Sequence, residues 1–189
     1  MTVLLIVALL FLLVISAPYS AMAKDSEAVA PKESVTLFTG IERGKEVYEI
    51  LKELAPDMKA KGGPQDWTRI EINMVQDGVK TDLVFNHDRN YYQGKSWQLE
   101  RLGMYEYISK FPEAQHKQRA LRLVQRFNFA VAAVLSPPRI KDDKRLKLIL
   151  KLSERIKAIM FIPGSLMDCS GRIIISQDGF SDPQARVDL

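Results

Sequence analysis

The chain has 189 residues, with 27 Lys and Arg against 23 Asp and Glu, a net charge of +4, and a single cysteine. One thiol cannot close an internal disulfide, so a stapled mini-scaffold is excluded and stability has to come from apolar burial. A body of this size buries about two-thirds of its unfolded surface, which suffices for one ordinary domain.

Residues 3–15, VLLIVALLFLLVI, are uninterrupted apolar. This run suits a secretory leader. It falls short of the roughly 20 residues that span a bilayer as a helix. Ala21-Met22-Ala23 has the small-x-small form that a signal peptidase recognises. The leader departs from the usual pattern in carrying no Lys or Arg ahead of its apolar run. Residues 1–23 are therefore expected to be a signal peptide cleaved near Ala23, the alternative being a retained N-terminal anchor. The mature protein is then secreted or periplasmic, with no transmembrane segment in the mature chain. Residues 24–35, KDSEAVAPKESV, are polar and charged and contain Pro31, which predicts a flexible tether. Residues 36–189 follow as a single α+β domain.

Within the domain, Val47, Ile50, Leu51, Leu54 and Met58 fall on one helical stripe, predicting a helix over 43–59 that Pro56 shortens to near Ala55. TRIEINMV (68–75) and VKTDLVFN (79–86) both alternate. Asp77-Gly78 between them is a hairpin signal, because both turn residues need φ > 0. That two-residue loop sets Met74 opposite Thr81, Ile72 opposite Leu83 and Ile70 opposite Phe85, all on one face. A slip of one residue would exchange the faces, at roughly 1.5–3 kcal/mol for each large apolar side chain removed from burial. A polar loop (86–96) leads to a helix over 97–110, capped by Ser96, with Trp97, Leu99, Leu102, Tyr105 and Ile108 available for packing. Pro112 suits the first turn of a further helix. That helix is read as 112–135 from Leu121, Val124, Phe127, Val131, Val134 and Leu135, and is ended by Pro137-Pro138. Asp142-Asp143 opens another helix over 142–157. AIMFI (158–162) and RIIIS (172–176) are short β-prone runs, with a type I turn at Asp168-Cys169-Ser170-Gly171 between them. The expected fold is α+β: a small antiparallel sheet, made of the central hairpin and a C-terminal hairpin, packed against three to four helices.

Sites of chemistry are few. Cys169 has Asp168 beside it and Arg172 three residues on; the first opposes thiolate formation and the second partly compensates. A small residue tolerated in a turn is the favoured reading; an intermolecular disulfide and a catalytic thiol are the alternatives. His87, after the hairpin in Asn86-His87-Asp88-Arg89, is a candidate general base, set against the default of a solvated loop histidine. Asp82, Asn86, His87 and Asp88 are a weak set of metal donors without a recognised ligand spacing. No phosphate-cradling or dinucleotide motif occurs, so no metal or cofactor is implied.

Charge is unevenly placed. Residues 112–157 hold 12 Lys and Arg against 4 Asp and Glu, whereas 24–111 hold 13 against 15 and 158–189 hold 2 against 4. Arg119, Arg122 and Arg126 recur at helical spacing on one predicted helix. Lys144, Lys147, Lys151 and Arg155 do so on the next. Like charges at these spacings repel, which a basic solvated face tolerates and an anionic partner would explain. The preferred reading is an exported, soluble, non-enzymatic binding module that takes an acidic protein, lipid head group or envelope polymer on a basic helical face, with no role for nucleic acid. The alternative is a small hydrolase or transferase using His87 and Cys169.

Overall fold

The computed structural model describes residues 32–88, 95–110, 117–162, 164–176 and 184–185. The leader and most of the tether lie outside this set. Among the described residues the chain runs β1 (Glu33–Thr39), α1 (Gly44–Leu54), β2 (Lys59–Lys61), β3 (Arg69–Gln76), β4 (Val79–Asn86), α2 (Lys95–Ser109), α3 (Lys117–Arg126), β5 (Phe129–Ser136), α4 (Lys144–Ile156), β6 (Ile159–Ile162), β7 (Ser165–Met167) and β8 (Ile173–Ser176). All eight strands join one antiparallel sheet in the order β2-β3-β4-β5-β1-β6-β7-β8. The fold is mixed α and β, but the sheet is larger than the small two-hairpin sheet expected. No described helix is long and apolar enough to cross a membrane.

The β3–β4 hairpin has the expected register, pairing Ile70 with Phe85, Ile72 with Leu83 and Met74 with Thr81. Asp77 and Gly78 take φ of 52° and 78°, the mirror-image turn that matches strand twist. The inward face of the hairpin is buried apart from a partly covered Met74, and the outward face shows Asn73, Val75 and Asp82 to solvent. Asn73 Nδ2 donates to Asp82 Oδ1 across it at 2.7 Å. At the sheet's edge, β2 is three residues long and exposed at each of them, with Lys59 and Lys61. Short charged edges of this kind discourage pairing with other chains.

Two strands link the hairpins, and neither was expected. Glu33, Ser34 and Val35, assigned above to a tether, lie in β1, which pairs with both β5 and β6. Of the helix expected over 112–135, residues 112–116 lie outside the described residues, and the helix is present over Lys117–Arg126 and does not continue to 135. Phe129–Ser136 is instead the fourth strand of the sheet, with a burial pattern that alternates at every residue. The reason is two-sided burial. Phe129, Val131, Ala133 and Leu135 face one core and Ala130 packs against the other. The segment therefore reads as a continuous apolar run that also fits helical spacing. Its Phe and Val content favours the strand.

Helices cover both faces. α1 and α4 pack over Val35, Leu37, Ile70, Leu83, Phe85, Val131, Leu135 and Met160. α2 and α3 pack over Phe38, Ile159, Leu166 and Ile174 on the other side. The two layers are separated because successive residues such as Leu37 and Phe38, or Ile159 and Met160, point to opposite faces of a strand. α1 ends at Leu54, as Pro56 requires, and α2 begins at Lys95, one residue ahead of the expected cap Ser96. Trp97 and Ile108 of α2 are buried as expected, whereas Leu99 and Leu102 are each 54% exposed.

Candidate functional site: separated basic surfaces and a buried histidine

The seven basic residues singled out above are all exposed, but they do not form one face. Arg119, Arg122 and Arg126 belong to α3; Lys144, Lys147, Lys151 and Arg155 belong to α4. Those helices sit on opposite sides of the sheet. Their surroundings also differ. Arg155 Nη1 pairs with Glu53 Oε2 of α1 at 2.8 Å, and the same layer carries Glu46, Glu49 and Glu154. α3 contains no acidic residue between Lys117 and Arg126. Among the described residues, Arg119, Arg122 and Arg126 make no ion pair. Ala120, Leu123 and Val124 of α3 are buried, which fixes the helix by its apolar stripe and leaves the arginine row outside it.

His87 is not a solvated loop residue. It is 5% exposed, with its ring centroid 5.2 Å from that of Trp67 and 4.8 Å from that of Phe129. Nδ1 lies 3.3 Å from the Ala130 carbonyl, an arrangement in which the ring nitrogen donates. Nε2 faces the start of α1, where a β-carbon on Gly44 would stand 3.5 Å from it. Gly44 is also held by Trp67, whose Nε1 donates to the Gly44 carbonyl at 2.7 Å, and by Glu42, whose Oε1 accepts from Gly44 N at 2.6 Å. The Glu42 carboxylate thus occupies the electropositive helix N-terminus. Trp67, 1% exposed, carried no motif in the sequence, and only the long-range contact with Gly44 reveals its role.

Cys169 has different neighbours. It is half-buried, and burial pushes its thiol above the ordinary value of 9.0, with the Asp168 charge adding to the rise, the nearby Lys157 lowering it and Glu154 raising it. Asp168 is buried and its Oδ1 accepts from Ser170 N, Ser170 Oγ and Arg172 N at 2.8–3.0 Å, which ties the expected turn. The turn closes with Gly171 N donating to Asp168 O at 3.0 Å. The surroundings of His87 (Trp67, Phe129, Ala130, Gly44) and those of Cys169 (Asp168, Lys157, Glu154) share no residue. The weak set of metal donors noted in the sequence is also divided between the two faces. Asp82 and Asn86 lie on the sheet face opposite the side on which His87 packs, since their strand alternates. Among the described residues no group of three or more His, Cys, Asp or Glu converges.

A fully buried basic residue escaped the sequence reading. Arg145, 0% exposed, lies in the first turn of α4. All five of its N–H donors meet protein acceptors. Nε donates to Asp143 Oδ1 at 3.0 Å. Nη1 donates to the carbonyls of Pro137 at 2.8 Å and Asp82 at 3.2 Å. Nη2 donates to Asp143 Oδ2 at 2.7 Å and to Pro138 O at 3.3 Å. Asp143, the helix N-cap, also accepts from Arg145 N and Ile140 N. Burial alone would raise the Asp143 pKa; the Arg145 side chain, these backbone donors and the Arg145 charge outweigh it and hold the carboxyl below its ordinary 3.8. Gln76 completes the knot, donating to the carbonyls of Lys141 and Asp142 and accepting from Lys144 N. The arrangement fastens the segment between β5 and α4 to the β3–β4 hairpin.

A void of about 10 Å³ lies among Met104, Tyr107, Ile108, Val124, Phe161 and Leu166. It has room for one water molecule and an apolar lining, so it is a packing gap. In comparison with known proteins, no family model matches the chain, and no curated protein or solved structure matches it either.

Proposed function

We propose that the protein is a non-enzymatic binding module that takes an anionic partner on the arginine row of α3, working outside the cytoplasm after its leader is removed near Ala23. The observation that carries this reading is the row Arg119, Arg122 and Arg126, exposed and without an ion pair among the described residues, on a helix without a carboxylate. Their mutual repulsion costs a few tenths of a kcal/mol per pair in the free protein, and an anion removes it. Attraction would act over about 8–10 Å at physiological salt, so affinity falls as ionic strength rises. The α4 lysines form a second surface on the far side of the sheet, which a partner seated on α3 does not reach.

The test uses polyglutamate as the anionic probe. The Arg119→Gln/Arg122→Gln/Arg126→Gln protein should lose binding and its salt dependence. The Lys144→Gln/Lys147→Gln/Lys151→Gln protein should retain both. Equal binding by the arginine variant, or wild-type binding that ignores salt, would overturn the proposal.

A further inference from the structure

The outer surface of the α2–α3 layer carries more than charge. On α2, Trp97, Met104 and Ile108 face the core. Leu99 and Leu102, each 54% exposed, lie on the opposite side of the helix, as helical spacing requires. Lys95 opens α2, Lys110 follows its last residue and Glu106 lies between, all exposed. Both helices pack on the same face of the sheet and against each other, so the exposed leucines and the exposed α3 arginines lie on one side of the molecule.

We infer that this side lies against an anionic lipid bilayer, the inference resting on the anionic-partner reading above. The two kinds of side chain ask for two kinds of surroundings. Guanidinium groups fit phosphate oxygens in a planar, multiply hydrogen-bonded way. Leucines gain from leaving water for an apolar phase. A bilayer surface supplies phosphates and, a little deeper, the acyl boundary. A soluble acidic polymer supplies the charge and no apolar phase. Arginine stems lie along such a boundary while their heads stay at the phosphates, so the row and the leucines are compatible at one depth.

The experiment is co-sedimentation of the mature chain, from Lys24 onward, with phosphatidylcholine vesicles that contain or lack phosphatidylglycerol, run beside polyglutamate binding. Two variants are compared with wild type, Arg119→Gln/Arg122→Gln/Arg126→Gln and Leu99→Ser/Leu102→Ser, with intrinsic tryptophan fluorescence confirming that both are folded. Wild type should bind the anionic vesicles and not the neutral ones. The arginine variant should bind about 100-fold more weakly, from about a factor of five per cation at the surface. The leucine variant should lose about tenfold on vesicles and keep its polyglutamate affinity. Equal binding to neutral vesicles overturns the inference, and so does wild-type vesicle binding by the leucine variant. Arginine-dependent binding of polyglutamate without binding of vesicles overturns the lipid inference and leaves the anionic-partner reading standing. Failure to bind either probe overturns both.

Discussion

Replacing Arg145 with methionine keeps much of the length and apolar bulk of the side chain and removes all five donors. Asp143 then remains buried with no Arg145 guanidinium beside it, and the carbonyls of Asp82, Pro137 and Pro138 each lose the hydrogen bond from Arg145. Breaking one side of a buried pair costs about 3–5 kcal/mol, because the remaining charge stays desolvated. The orphaned carbonyls do not add fully, since the loop they belong to can move toward water. Against the roughly 5–15 kcal/mol that stabilises a typical domain, this is a large loss. Urea unfolding followed by fluorescence of the buried Trp67 and Trp97 should show it as a midpoint lower by about 2 M, for an m-value of about 2 kcal/mol per M. The double variant Arg145→Met/Asp143→Asn should recover part of the loss, since the new amide carries no charge and still presents an oxygen to cap α4. The pH dependence has a definite sign. In wild type the Asp143 pKa is depressed, so its stabilisation is complete above the ordinary carboxylate value and is lost as pH falls through the lower folded value. In Arg145→Met the carboxylate is buried without its cation and benefits from protonation, so the gap between the two proteins should narrow on acidification. A loss below about 1 kcal/mol at neutral pH would refute the view that the knot is held by this pair.

Three further outcomes follow from local geometry. Lys157 ends α4 in the left-handed region at φ 57° with an exposed side chain. Lys157→Gly should therefore stabilise the protein by about 0.5–1 kcal/mol in the same urea assay; a decrease would contradict the strain argument. Cys169 should resist iodoacetamide at neutral pH and react only as pH rises past 9.0. Alkylation at neutral pH as fast as a free thiol would rule out the raised pKa. Leu37→Ala, at the fully buried centre of β1, should cost about 2–5 kcal/mol. The exposed Leu99→Ala should stay within about 0.5 kcal/mol of wild type; similar losses at both sites would mean that the exposure of α2 is wrong.

Features carried by near neighbours were legible from residue order. The β3–β4 hairpin, its register and its buried face follow from alternation and Asp77-Gly78. The end of α1 follows from Pro56, the opening of α4 from Asp142-Asp143, and the turn at Asp168 from Asp and Gly at its first and fourth positions. The tertiary structure alone decided what depends on burial at long range. Phe129–Ser136 is apolar at nearly every position because helices cover both faces of the sheet, and such a run loses the alternation that separates strand from helix. Glu33–Thr39 pairs with two strands from the far half of the chain, which no local signal records. Arg119 and Lys147 looked like members of one basic surface because they were read on consecutive helices. The β5 strand between their helices enters the middle of the sheet, and α3 and α4 emerge on opposite faces of it. His87, polar and flanked by loop residues, became a core residue because Trp67, Phe129 and Gly44 close around it. Residue order therefore determined the local geometry and the total charge, and the packing of distant segments determined which of those charges share a surface.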